Sequence, residues 1–113
     1  MDTIFTKIIN KELKANVIFE DNDILAFEDI KPCAPFHILI IPKKKIRTVN
    51  EISSKDTNLI GKMFIVARDI ASKNKITKDG YRLVINCDEN GGQTVFHLHM
   101  HMLAGKKLKW PPG

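Results

Sequence analysis

Cysteine is scarce in this chain. Cys33 and Cys87 are the two among 113 residues, too few for a disulfide framework. Their spacing makes neither a C-x-x-C redox pair nor a thiolate zinc site, and a reducing compartment suits them. Long apolar runs are also missing: none approaches the ~20 residues that cross a bilayer as a helix. Residues 1–7 lack the basic-then-apolar layout of a secretory signal. No repeat, low-complexity tract or linker interrupts the sequence, so residues 1–113 are expected to form one domain. Acidic residues are the minority charge, 13 against 18 Lys and Arg, for a net +5. That excess suits a nucleotide, a nucleic acid or a membrane surface and by itself names none of them. No basic strand interleaved with aromatics supports nucleic-acid binding. A cytoplasmic protein with neither a membrane nor a nucleic-acid partner is expected, with the nucleus as a second compartment.

What is present is an ordinary globular composition, 43% hydrophobic and 27% charged, enough to bury a core without staples. Thr3 can cap a short helix carrying Ile4, Phe5, Ile8 and Ile9 at helical spacing. Residues 17–20 and 24–28 read as strands of a hairpin, turned by Asp21-Asn22-Asp23. Pro32 and Pro35 mark a loop, and residues 36–41 form a short apolar run around His37 that reads as a buried strand. Lys43-Lys44-Lys45 reads as a solvated turn. Ser53 and Asp56 form the S-x-x-D pattern that opens a helix. Leu59, Ile60, Met63, Val66, Ala67 and Ile70 then recur at three- and four-residue steps, predicting an amphipathic helix over 55–73. Residues 81–87 read as a strand, 88–94 as a glycine-containing loop and 95–103 as the last strand. The class is α+β: a five-stranded antiparallel meander with one long helix and a short N-terminal helix.

Three of the four histidines lie within five residues, in His97-Leu98-His99-Met100-His101. Side chains of an extended chain alternate, which puts the imidazoles on one face about 6.6 Å apart and Leu98, Met100 and Met102 on the other. Three adjacent imidazoles would each need a separate polar partner if they served structure alone. Two chemistries fit better. Histidines at i and i+2 can ligate zinc, with His37 as a third ligand. Alternatively, one imidazole attacks phosphorus while a neighbour donates to phosphate oxygens or a leaving group. The stretch Gly91-Gly92-Gln93-Thr94 just before the row favours phosphate, because glycines admit backbone N–H groups to an anion and Gln93 and Thr94 add donors. No HExxH-type pattern supplies the carboxylate of a hydrolytic zinc site.

The run His97 to Leu103 is similar to the H-φ-H-φ-H-φ-φ motif of the histidine triad superfamily. Phe19-Glu20-Asp21, Leu25-Ala26-Phe27, Asp29-Ile30, Ile40-Ile41-Pro42-Lys43-Lys44, Gly80-Tyr81-Arg82, Gly91-Gly92-Gln93 and Trp110-Pro111-Pro112-Gly113 resemble its nucleotide-binding branch. The resemblance implies a homodimer whose sheets join across a strand edge. It also implies hydrolysis of purine nucleoside 5′-phosphoramidates and aminoacyl adenylates through a nucleotidyl-histidine, without a metal or other cofactor. By that resemblance His99 is the nucleophile, His101 contacts phosphate and aids departure of the leaving group, and His97 and His37 stand behind them. Asn86, Gln93, Thr94 and Val95 would line the phosphate site and Asp29 would hold the ribose. Ile4, Phe5, Ile8, Phe27 and Ile30 would form the base pocket, with Leu39 near the sugar. Trp110 would reach the partner subunit's pocket. Thr94 stands where the branch often has Ser, Lys109 where it often has His, and residues 87–90 depart from its usual loop. A non-catalytic nucleotide-binding or interaction protein and a zinc protein are the alternatives.

Overall fold

The computed structural model describes residues 2–113. Helix α1 (Ile4–Ile9) begins at Thr3, whose hydroxyl oxygen accepts the backbone N–H groups of Phe5 at 3.1 Å and Thr6 at 3.3 Å. The Thr6 hydroxyl accepts the Thr3 N–H in return, completing a capping box. Strands β1 (Val17–Glu20) and β2 (Ile24–Glu28) form the expected hairpin. Asp21 Oδ1 holds its turn by accepting the N–H groups of Asp23 and Ile24, each at 2.8 Å. Strand β3 (Phe36–Pro42) follows the two prolines.

After β3, Thr48 and Ser53 cap two short 3-10 turns, Val49–Glu51 and Ser54–Asp56. The Ser53–Asp56 box is present, and it opens the second of these turns. The long helix α2 (Thr57–Lys73) starts just beyond, two residues later than the expected 55. Strand β4 (Arg82–Val84), helix α3 (Asp88–Gly91) and strand β5 (Met100–Ala104) complete the chain.

The five strands form one antiparallel sheet in the order β1-β2-β3-β5-β4. This corrects the expected meander. Helix α2 carries the chain over the sheet to its far edge, and β5 returns into the gap between β3 and β4. Central placement suits β5, because both of its faces need cover.

Both faces of the sheet are buried near its centre. On one, Ile24, Ala26, Ile38, Ile40, Met100 and Met102 pack against Met63, Val66, Ala67, Ile70 and Ala71 of α2. On the other, Leu25, Phe27, Leu39 and Ile41 pack against Phe5 of α1. Two-sided burial is why β2 and β3 read as continuous apolar runs rather than alternating ones.

Three further expectations are corrected. Residues 81–87 are a strand only from Arg82 to Val84, since β4 pairs solely with the short β5. The loop expected at 88–94 contains α3, and Gly92 at φ 85° ends that helix in the left-handed region where only glycine is unstrained. The last strand covers Met100–Ala104 instead of 95–103. Residues 95–99 lie outside the ladder, and this segment is tied instead by the Leu98 N–H to the Ile46 carbonyl at 2.7 Å.

Candidate active site

The three clustered histidines keep their alternation although only His101 belongs to β5. Leu98, Met100 and Met102 enter the α2 side of the core. The imidazoles lie on the α1 side, where the Phe5 ring meets His99 edge-on at 5.0 Å and His97 at 6.1 Å. His101 stands between Leu39 of β3 and Val84 of β4 in the ladder. His37, on β3 beside it, completes the row.

Each ring has a defined partner. A carbonyl only accepts, so the nitrogen facing one carries the proton. His97 Nε2–H therefore donates to the Pro42 carbonyl at 2.7 Å, and His99 Nδ1–H donates to the His97 carbonyl at 2.7 Å. The second bond leaves the His99 Nε2 lone pair free. The Cys33 N–H donates to His37 Nδ1 at 2.9 Å, so a neutral His37 carries its proton on Nε2. That Nε2–H donates to His101 Nδ1 at 2.9 Å, which places the proton of a neutral His101 on its outer nitrogen, Nε2. A free lone pair and a free N–H thus sit on neighbouring rings, 5.0 Å between centroids.

Electrostatics keep the row neutral. Burial pushes the pKa of His37, His97 and His99 below the ordinary imidazole value. His101 falls furthest, to about 4, through burial and then the neighbouring His99 and His37. Asp29 opposes the shift at His37, 3.4 Å from its Nε2, without outweighing burial. His97 Nδ1 is buried with no hydrogen-bond partner among the described residues.

Asp29, His37 and His101 bring ligand atoms within 4.8 Å of one another, the one such group of metal donors among the described residues. The His37–His101 separation of 2.9 Å is a hydrogen-bond length. Two ligands of a tetrahedral zinc at 2.0–2.1 Å stand about 3.4 Å apart. The pair is built to share a proton.

The other expected site residues divide by exposure. Phe5, Phe27 and Leu39 are buried in one cluster, with Ile8 and Val95 packed against it. Asp29 and Asn86 are half-buried and Thr94 is exposed. The buried Gln93 is fully committed within the chain. Its Oε1 accepts the Asp88 N–H at 2.8 Å, and its Nε2 donates to the carbonyls of Arg47 at 2.8 Å and Val95 at 3.1 Å. Both side-chain N–H groups are used, so Gln93 shapes the loop and only its backbone is left for a ligand. Ile30 and Trp110 stand apart, 87% and 81% exposed. Sequence reasoning passed over Lys45, Arg47 and Phe96. With Thr3, Ile4, Thr94 and Val95 they line a half-open cavity of about 630 Å³ beside the row. The lysine run gave a signal for Lys45, but a turn was the simpler reading.

The HIT domain family model matches residues 10–108. The chain belongs to this family. It is 50% identical over 108 residues to an uncharacterized HIT-like protein of Buchnera aphidicola, covering 96% of this chain and 95% of that one. It is 47% identical over 107 residues to the purine nucleoside phosphoramidase of Escherichia coli K12, covering 95% and 90% of the two chains. Among solved structures, a HIT family hydrolase from Legionella pneumophila superposes with a TM-score of 0.97 at 46% identity. That superposition covers 99% of this chain and 100% of the other.

Proposed function

We propose that this HIT protein is a hydrolase that cleaves the P–N bond of purine nucleoside 5′-phosphoramidates such as adenosine monophosphoramidate and AMP-lysine, and the P–O bond of aminoacyl adenylates, through a nucleotidyl-His99 intermediate. The reading is carried by the His99–His97 bond, which fixes one tautomer and presents the Nε2 lone pair. The name of the Escherichia coli relative supports the substrate class. In the first step His99 Nε2 forms a bond to the α-phosphorus as the P–N bond breaks. The electron pair leaves with the amine, which takes up a proton. Positive charge growing on the His99 ring is stabilised by its Nδ1–H bond to the His97 carbonyl. The His101 Nε2–H donates to a phosphate oxygen, as a neutral imidazole because its pKa lies near 4. In the second step water attacks phosphorus and gives up a proton, balancing the one taken by the amine, the N–P bond returns its electrons to His99, and the nucleoside monophosphate departs.

In this reading Asp29 takes the ribose hydroxyls, Asn86, Thr94 and the Gln93–Thr94 backbone take phosphate oxygens, and the base lies against Ile4, Phe5, Ile8, Phe27 and Ile30, with Leu39 near the sugar. The working unit is a homodimer in the cytoplasm. The unpaired outer edge of β4, the exposed Phe64 and Ile65 of α2 and the exposed Trp110 support self-association. Two free thiols suit a reducing compartment, and no helix among the described residues is long and apolar enough to cross a membrane. Turnover of adenosine 5′-phosphoramidate tests the assignment. The native protein should release ammonia and AMP, and a rapid quench should trap nucleotide on His99. Binding of AMP with no hydrolysis of any amine conjugate would instead identify a non-catalytic nucleotide-binding protein.

A further inference from the structure

The cavity beside the histidine row carries cationic side chains that the proposed nucleotide contacts do not use. Its walls are apolar at Ile4, Val95 and Phe96, and its charged groups, Lys45 and Arg47, are both cationic. The Arg47 guanidinium lies over the Phe96 ring, 4.8 Å from its centroid. Neutralisation is slight. Arg47 Nε is 4.0 Å from Glu51 Oε2, with both side chains about half exposed, and Lys45 makes no ion pair among the described residues. Thr94 adds a hydroxyl at the rim shared with the proposed phosphate site.

The order of groups along the row sets a direction. Asp29 lies at one end, against His37 and His101. His99 is in the middle. His97 marks the other end, where Lys45 stands close enough to help depress its pKa and Ile46 bonds Leu98. The cavity shares Thr94 and Val95 with the proposed phosphate site, which puts it within reach of a substituent on phosphorus. For a phosphoramidate, that substituent is the amine.

We infer that Lys45, Arg47 and Phe96 form a leaving-group subsite that selects amines bearing a carboxylate. The inference rests on the phosphoramidase reading above and names its substrate class. A carboxylate can accept from the Arg47 fork and the Lys45 ammonium, while its carbon stem lies on Val95 and Phe96. The same charges disfavour a cationic amine side chain.

The test compares four adenosine 5′-phosphoramidates on the full chain: the unsubstituted compound, the glutamate conjugate, its neutral diamide and a lysine-amide conjugate. We expect the glutamate conjugate to exceed the diamide by about tenfold in kcat/KM, the scale of one charge-assisted contact, with the lysine-amide conjugate below both. The Lys45→Ala/Arg47→Ala variant should bring the three conjugates together. Arg47→Glu should invert the order. Both changes lie on exposed side chains, and the Arg47 carbonyl that holds Gln93 is retained. The unsubstituted compound, which has no stem to reach the cavity, reports whether each variant folds and turns over. Equal rates for glutamate and diamide conjugates in the native protein overturn the subsite, as does a preference that survives the double substitution. Absence of turnover on all four compounds overturns the phosphoramidase reading itself, and the subsite with it.

Discussion

At the residue scale, the decisive feature is the division of labour among four rings of identical chemistry. Hydrogen-bond partners separate them: a carbonyl sets His99, another carbonyl sets His97, and a backbone N–H sets His37 and, through it, His101. His99→Ala removes the one ring whose free lone pair faces outward. Turnover should fall by about 10⁴-fold or more, the scale seen when a nucleophile is deleted, while the Kd for AMP by calorimetry changes little. The pH profile tests the electrostatics. The proposed mechanism uses His99 in its neutral form and burial lowers its pKa, so the acid limb of kcat/KM should fall below the ordinary imidazole value of about 6.5. An acid limb at or above that value would contradict a buried, neutral nucleophile.

At the element scale, the segment before β5 is held by side chains rather than by a ladder. Gln93 bonds the start of α3, the segment following β3 through the Arg47 carbonyl, and its own loop through Val95. Gln93→Ala would leave these part-buried backbone groups without their side-chain partner. We expect a loss of about 1–2 kcal/mol in urea unfolding, with a raised KM because the backbone proposed to hold phosphate loosens. The caps at Thr3 and Ser53 act on a smaller scale. Thr3→Ala should cost about 1 kcal/mol, and it should disturb α1, which holds Phe5 against the histidines. Both caps were legible as short patterns, since capping depends on residues three positions apart. The bounds of β4 and β5 were not, because a ladder ends where its partner ends.

At the scale of the whole molecule, the histidine row links the site to stability. The native pKa values of His37, His97, His99 and His101 are all lowered. Below about pH 6.5 the unfolded chain takes up protons that the native chain refuses until lower pH. Stability is therefore full above that value and declines as pH falls toward 4, by up to about 1.4 kcal/mol per pH unit for each histidine. Urea midpoints measured from about pH 8 down to about pH 5 should fall monotonically, and a His37→Asn variant should show a shallower fall. Assembly is tested at the same scale. The native chain should sediment as a dimer and Phe64→Lys as a monomer, because the substitution places a charge on an exposed apolar face of α2.

By itself the sequence determined the class, the long helix and the facing of the imidazoles. Each of these depends on local spacing: period 3.6 for α2, period 2 for the imidazoles, and the Gly-Gly pair before them. The tertiary structure alone decided the strand order, because residues 82–84 and 100–104 find their neighbours only after α2 has crossed the sheet. It also decided which nitrogen of each ring is free, since the partners at Pro42 and Cys33 lie far away in the chain. The cavity at Lys45, Arg47 and Phe96 belongs to the same class of fact. Its walls come from the N-terminus, the segment after β3 and the segment before β5, which only the folded chain brings together.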